Sequence, residues 1–417
     1  MIRMINTKGN IKWILIFCGI FLAIMSRRPD IILSAQPWAE DGKIWMEGIY
    51  NKGFWNTVLL PQNGYYQTIS ILTYGIGLFF GVEHASFTAN VIAISIRCFF
   101  LMFILSSRFD FIKMRYRVAA ALYFLLMPNL VEGYVNITNA HWYLSMYLMA
   151  IVMTDDAKTK AWKAHDYALI ILSGLSGPFI AFIAPGLLIK RLYQRKGILN
   201  TLKGINTFDV LFTLCFLIQV VAIIHSSGAD RSSAPLGATF PLLADIISFR
   251  VVGGSFFTND LISALREKTA INIVIFLILS SLIIYNFIRS DWRFKAACLL
   301  PILMIGFALA KPMMSPTEPQ WPVFLMGGAG ERYFFVTNFS LFCFILFMLS
   351  KVDKYSKLIL PILAVIVLPI LISSFKIKPL DEVGYMKDIE KFKTIPAGQE
   401  MEIQINPPGW AMNLIKK

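Results

Sequence analysis

Charged side chains are scarce in this chain. They make up 15% of its 417 residues, where a soluble domain carries roughly a quarter. Hydrophobic residues reach 57% and stand in unbroken blocks rather than at core periodicities, which excludes a soluble domain under a charged surface. Cysteine is equally thin. Cys18, Cys98, Cys215, Cys298 and Cys343 all lie inside apolar runs, none in a loop beside a second Cys or a His, so no disulfide framework or zinc site is supported. There is no Walker-type glycine loop, no GxSxG elbow, no HExxH and no Asp-x-Asp of a soluble nucleotide-sugar domain. An ATP-driven pump within this chain is excluded, and a cytosolic nucleotide-sugar enzyme has no support. Internal repeats of the transporter kind are also lacking.

What the chain has instead is a series of apolar blocks about 20 residues long, the length that crosses a bilayer core of roughly 30 Å. The expected fold is an all-α polytopic membrane protein with about nine spans, at 11–26, 86–106, 117–133, 141–153, 206–226, 270–288, 296–311, 333–350 and 358–374. The first block has no obvious small-residue cleavage site near Arg27 and reads as a retained signal-anchor. Residues 66–82 are short and polar-spotted, and read as an interfacial helix within a long outer loop, 27–85. Block 167–189 is too short to cross twice, yet basic segments flank it on both sides. With Ser176-Gly177-Pro178 at its middle and Pro185-Gly186 beyond, it reads as a broken, re-entrant helix pair. A transmembrane domain, 1–374, is thus followed by an outer tail, 375–417.

The net charge of +14 raises the question of nucleic acid, and the placement of the charge answers it. Of 39 Lys and Arg, 21 fall in six short segments that this layout puts on one side, while 18 of 25 acids fall on the long-loop side. That is the positive-inside pattern, not a nucleic-acid footprint. It sets the N-terminus in the cytoplasm and the tail outside.

The motif-like sequence lies almost wholly outside. Trp38-Ala39-Glu40-Asp41-Gly42 places two adjacent carboxylates among Trp38, Trp45 and Trp55 at the membrane boundary. An amphipathic interfacial helix with its acids on the wet face fits the same residues. The loop continues through Pro61-Gln62-Asn63-Gly64-Tyr65-Tyr66, aromatic and amide-rich, suited to sugar hydroxyls and ring faces. A second group, Glu132 to Trp142 with Asn136, Asn139 and His141, puts many polar groups near membrane depth, as a cavity wall or as a helix-end capping network. A third, Gly327-Gly328-Ala329-Gly330-Glu331-Arg332-Tyr333, offers backbone N–H groups and a forked cation suited to a phosphate, or a flexible loop with an interfacial anchor. Arg231, beside Asp230, is a weaker cationic candidate. Ile405-Asn406-Pro407-Pro408-Gly409-Trp410 reads as a docked extended segment.

Together these residues resemble the GT-C glycosyltransferase superfamily and, more narrowly, the serotype-converting O-antigen glucosyltransferases of bacteria and their phages. The likeness rests on Trp38–Gly42, Gly64-Tyr65-Tyr66-Gln67, Asn136–Trp142, Gly330-Glu331-Arg332-Tyr333 and Asn406-Pro407-Pro408-Gly409-Trp410. It implies an enzyme of the bacterial inner membrane that takes glucose from undecaprenyl-phosphate-glucose and adds it to O-antigen sugars of lipopolysaccharide on the periplasmic face. It further implies dependence on separate proteins that make and flip the donor. In an inverting displacement one carboxylate acts as base, Asp41 ahead of Glu40. Arg332 would hold the donor phosphate, with Lys311 and Arg231 as alternatives. Tyr65, Tyr66, Asn139, His141 and Trp142 would shape the sugar sites. One phosphate leaves, so no metal and no cofactor is expected. A flippase or transporter for a lipid-linked sugar, and an O-antigen polymerase or ligase, are the competing readings.

Overall fold

Apolar sequence in lipid must satisfy its backbone N–H and C=O groups internally, and helices do so within a single segment. The structure, a computed structural model, describes residues 7–62, 64–226, 232–263 and 268–417, and Arg231 lies outside them. The longer helices in chain order are α1 (Thr7–Arg27), α2 (Thr68–Phe79), α3 (Val82–Leu105), α4 (Met114–Leu126), α5 (Ala140–Met153), α6 (Lys160–Gly174) and α7 (Ile180–Arg195). They continue as α8 (Thr207–His225), α9 (Thr269–Arg289), α10 (Trp292–Ala310), α11 (Phe335–Lys351), α12 (Asp353–Ser373) and α13 (Tyr385–Thr394). Five stretches among the described residues are long and apolar enough to cross a membrane: α3, α8, α9, α10 and Glu331–Lys351, which contains α11. They point to a membrane-embedded protein.

Helix α9 carries the solvent's signature most plainly. Ile271, Val274, Leu277, Ile278, Leu282 and Ile284 face outward, while its buried residues are Asn272 and Asn286. Asn272 Nδ2 donates to Asp245 Oδ1 at 2.8 Å, and Lys351 Nζ donates to Asn286 Oδ1 at 2.7 Å. Water would select the reverse, and hydrocarbon selects aliphatic groups outside with polar contacts within. Helix α5 sits at the other extreme. Every residue from Ala140 to Val152 is buried, and α3, α6 and α7 pack around it.

Helix α4 stops earlier than the expected 133. It ends at Leu126 because Pro128 disfavours helical backbone at Met127, which turns extended at ψ 131°. Residues 127–139 are therefore irregular, and all of 133–139 are buried. Between α6 and α7 the chain breaks at 175–179, around the Ser176-Gly177-Pro178 centre, whereas Pro185 lies inside α7 without ending it. Both helices run past the 167–189 block, to Lys160 and to Arg195. Helix α2, 12 residues and so roughly 18 Å long, is too short to cross a bilayer core and folds back along α3.

The tail amends the all-α expectation. Glu400–Ile405 alternates polar with apolar, the period of a strand, and pairs antiparallel as β1 with the largely apolar Trp410–Ile415, β2, Ile405 lying opposite Trp410. Ile403, Ile405, Met412 and Leu414 turn inward, fully buried. The hairpin docks on the loop between α1 and α2: Glu47 Oε2 accepts Asn413 N–H at 2.8 Å, and Asn51 Nδ2 donates to Asn413 O at 2.7 Å. At the opposite end of the bundle, an ionic network joins α7, α8 and the 154–159 segment. Arg191 reaches Asp156 at 2.8 Å and Asp209 at 2.6 Å, while Lys190 reaches Asp156 at 3.0 Å.

Candidate functional site

The turn carrying the two carboxylates is shaped by the tail. Trp38 bridges Asn406, and Ala39 N–H donates to Asn406 O at 2.5 Å. Asn406 Nδ2 in turn donates to Gln36 Oε1 at 2.9 Å. Gly42 lies tight against this contact, where a Cβ would stand 2.7 Å from Ile405 Cδ1 and force the Ile405 side chain to shift. Ala39 takes the left-handed region at φ 44°, unusual for a residue with a Cβ. A π-helical stretch, Asp41–Met46, follows. The twist sends the two acids to different surroundings. Glu40 stays half-buried, with no hydrogen-bond partner among the described residues. Asp41 is 2% exposed and faces the 127–139 segment.

There, Asp41 Oδ1 accepts the Thr138 N–H at 2.8 Å and Oδ2 accepts the Ile137 N–H at 3.2 Å. Trp45, also buried, donates its indole N–H to Thr138 Oγ1 at 2.9 Å and fixes the same turn. Burial pushes the Asp41 carboxyl up to about 8, the Thr138 N–H opposing and the neighbouring Glu40 charge adding to the rise. The turn that supplies the two donors is itself strained, for Val135 stands at φ 65°. Backbone strain at β-branched residues persists only where the surroundings enforce it, and it gathers at functional sites.

The rest of the 127–139 segment is stitched internally and to the Gly330–Arg332 turn. Asn136 Nδ2 donates to Glu132 O at 2.7 Å, and Asn139 Nδ2 donates to Asn136 Oδ1 at 2.9 Å. Arg332 and Glu132 form an ion pair, and Arg332 N–H donates to Glu132 Oε2 at 3.0 Å. Glu331 folds the other way, accepting from Glu132 N–H at 3.2 Å and Asn259 Nδ2 at 3.2 Å. Lys311 is exposed and lies two residues from Met313, whose carbonyl accepts from Arg332 Nη2 at 3.5 Å.

The aromatic part of the first loop meets the break between α6 and α7. Gly177 N–H donates to Tyr66 O at 2.8 Å, Thr68 N–H to Leu175 O at 3.0 Å and Ile69 N–H to Ser176 Oγ at 2.9 Å. Gln219, buried within α8, clamps this junction: its Oε1 accepts the Tyr66 N–H at 2.9 Å, and its Nε2 donates to Tyr66 O and Gly177 O. Above it, the His141 ring stacks on Phe179 at 5.1 Å, Trp142 packs on Phe179 at 4.5 Å, and Tyr333 meets Trp142 edge-on at 5.9 Å. Arg332 lies over Tyr333 at 4.9 Å, so the aromatic run leads from His141 to the Glu132–Arg332 pair.

Asp41, Asn139, His141, Trp142 and Arg332 are thus gathered around one buried turn, with Tyr66 joined to it through Gly177. Tyr65 is half-buried at the adjoining Gln62 bridge. Asn139 directs its amide N–H groups inward to the turn, as a capping network does. Among the described residues no group of three His, Cys, Asp or Glu side chains could hold a metal ion. Sequence reasoning missed Gln219, the Trp45–Thr138 bond and the docking of Asn406. Gln219 carried a signal, being the one carboxamide within the apolar helix α8, where polar groups are costly without a partner. In comparisons with known proteins, no family model matches the chain, and neither does any curated protein or solved structure.

Proposed function

We propose that this membrane-embedded chain is a hexosyltransferase that moves glucose from undecaprenyl-phosphate-glucose to an O-antigen sugar on the periplasmic face of a bacterial inner membrane. Nine spans and the α6–α7 re-entrant pair carry it, with the N-terminus in the cytoplasm and the tail outside. What supports the reading is one carboxylate. Asp41 is buried, held by two backbone N–H groups, and has its carboxyl pushed up to about 8, the range suited to a general base near neutral pH.

In the proposed step an acceptor hydroxyl oxygen forms a bond to the glucose anomeric carbon. Its proton passes to the Asp41 carboxylate, and the bond to the lipid phosphate oxygen breaks with inversion. The phosphate leaves as an anion, and Arg332, or Lys311 in its place, stabilises the charge that develops there. Glu132 pairs with Arg332, so donor binding would exchange one anion for another at that guanidinium. No metal and no cofactor is invoked. A separate synthase and flippase would supply the donor.

The test is a comparison of wild type with Asp41→Asn and Glu40→Gln at equal membrane levels, given a polyprenyl-phosphate-glucose source and an O-antigen acceptor. Hexose on the acceptor is quantified by mass spectrometry. The reading expects transfer by wild type, retention in Glu40→Gln and loss of about a thousandfold or more in Asp41→Asn. If wild type adds no hexose but moves the lipid-linked sugar across the bilayer, the transporter reading replaces it.

A further inference from the structure

Two buried polar groups beside His141 have no partner, and the proposed transfer step uses neither. Gln67 is 5% exposed and Trp142 is 6% exposed. Gln67 Nε2 lies 3.4 Å from His141 Nδ1, but Gln67 Oε1 has no hydrogen-bond partner among the described residues. The indole Nε1 of Trp142 has none either. Exchanging the amide oxygen and nitrogen of Gln67 leaves one end of the carboxamide unpaired in both cases. Buried polar groups are paired as a rule, and each exception calls for an explanation.

Neither group is free to turn toward water. Gln67 is held on both sides, its backbone bridging Ser176 and the next residue's N–H donating to Leu175 O at 3.0 Å. Trp142 is wedged between Phe179 at 4.5 Å and Tyr333 at 5.9 Å. His141 sits so close to the chain break that a Cβ on Gly177 would come within 3.0 Å of its Cδ2.

We propose that Gln67 and Trp142 form a subsite for a sugar hydroxyl, an assignment that rests on the hexosyltransferase reading. The chemistry selects the ligand. An indole N–H needs an acceptor and a carboxamide end needs a partner of either sense, and a hydroxyl supplies both. A phosphate only accepts, and a lipid tail does neither. Gln67 becomes a specificity-determining residue. The hydroxyl comes either from the donor hexose or from the acceptor.

The test uses the full chain in detergent micelles, with Gln67→Met and Trp142→Phe. Thermal unfolding is followed with no ligand, with polyprenyl phosphate, with polyprenyl-phosphate-glucose and with O-antigen oligosaccharide. Trp142→Phe replaces an unpaired polar group by an apolar one and is expected to unfold at or above the wild-type temperature without ligand. Gln67→Met also gives up the 3.4 Å contact with His141 Nδ1 and is expected to unfold close to the wild-type temperature. Affinity for a sugar-bearing ligand is expected to fall about tenfold, while stabilisation by polyprenyl phosphate is unchanged. Loss with the glucosyl lipid assigns the hydroxyl to the donor, and loss with the oligosaccharide assigns it to the acceptor. Variants that are destabilised without ligand yet keep wild-type sugar shifts overturn the proposal, leaving a buried water on those atoms. A wild type that no sugar stabilises beyond polyprenyl phosphate also overturns it. Sugar binding that Gln67→Met abolishes, in a chain that never transfers hexose, keeps the subsite and sinks the transferase reading instead.

Discussion

Glu132 and Arg332, 200 residues apart in sequence, meet as an ion pair in which the same carboxylate also accepts the Arg332 backbone N–H. The carboxylate therefore sits on the guanidinium and the backbone donor that a phosphate would seek at the Gly330–Arg332 turn. With the side chains 31% and 19% exposed, the pair stands between a surface contact and a buried one. A double-mutant cycle of Glu132→Gln and Arg332→Gln, read by thermal unfolding, is expected to give a coupling of about 1–2 kcal/mol. Strict additivity would mean that the two side chains stabilise the protein independently.

Protonation of Asp41 links stability to pH. Its folded value of about 8 lies above the ordinary 3.8, so the folded chain keeps a proton that the unfolded chain releases. The contribution is complete below about pH 4 and is lost as pH rises through about 8. Wild-type unfolding temperature should therefore decline across this window more steeply than that of Asp41→Asn. The difference approaches about 1.4 kcal/mol per pH unit, one proton's worth. Parallel curves would show that Asp41 is ionised in the folded chain throughout.

Gly177 has φ 82°, and a Cβ there would press on the His141 ring. Gly177→Ala is expected to cost about 1–3 kcal/mol of stability, from left-handed backbone strain and displacement of the imidazole. Unfolding by denaturant measures the loss, and an unchanged midpoint would mean that the break between α6 and α7 relaxes freely.

Gln219→Leu keeps a similar volume but removes the amide that pairs the Tyr66 N–H, Tyr66 O and Gly177 O. The Tyr66 N–H then lacks its acceptor in a half-buried setting. A loss of about 2–3 kcal/mol is expected, with faster proteolysis of the 59–66 segment. Cleavage at the wild-type rate would contradict the clamp.

The sequence made the apolar helices and the α6–α7 break legible, because length, hydropathy and Ser176-Gly177-Pro178 are local signals. It marked the Glu40-Asp41 pair for the same reason. Which of the two turns inward depends on the left-handed Ala39 and the π-helical stretch after it, set by contact with Asn406 far along the chain. No local pattern encodes that. The early end of α4 was written at Pro128 and Asn129, but the apolar Leu130 and Val131 beyond them masked it. Half of the hairpin was also written, as alternation in Glu400–Ile405, but Trp410–Ile415 carries no such pattern, and the Pro407-Pro408-Gly409 stretch read as extended is the turn between the two strands. The Glu132–Arg332 and Gln219–Tyr66 contacts depend on the assembled bundle and left no trace beyond polar residues in apolar surroundings.

The initial rate of hexose transfer between about pH 6 and pH 9, in wild type and Glu40→Gln, tests Asp41 most directly. With Asp41 as base, both rates should rise about tenfold per unit at low pH and level near pH 8, while Asp41→Asn stays low and flat. A flat wild-type profile, or wild-type rates in Asp41→Asn, would contradict the account.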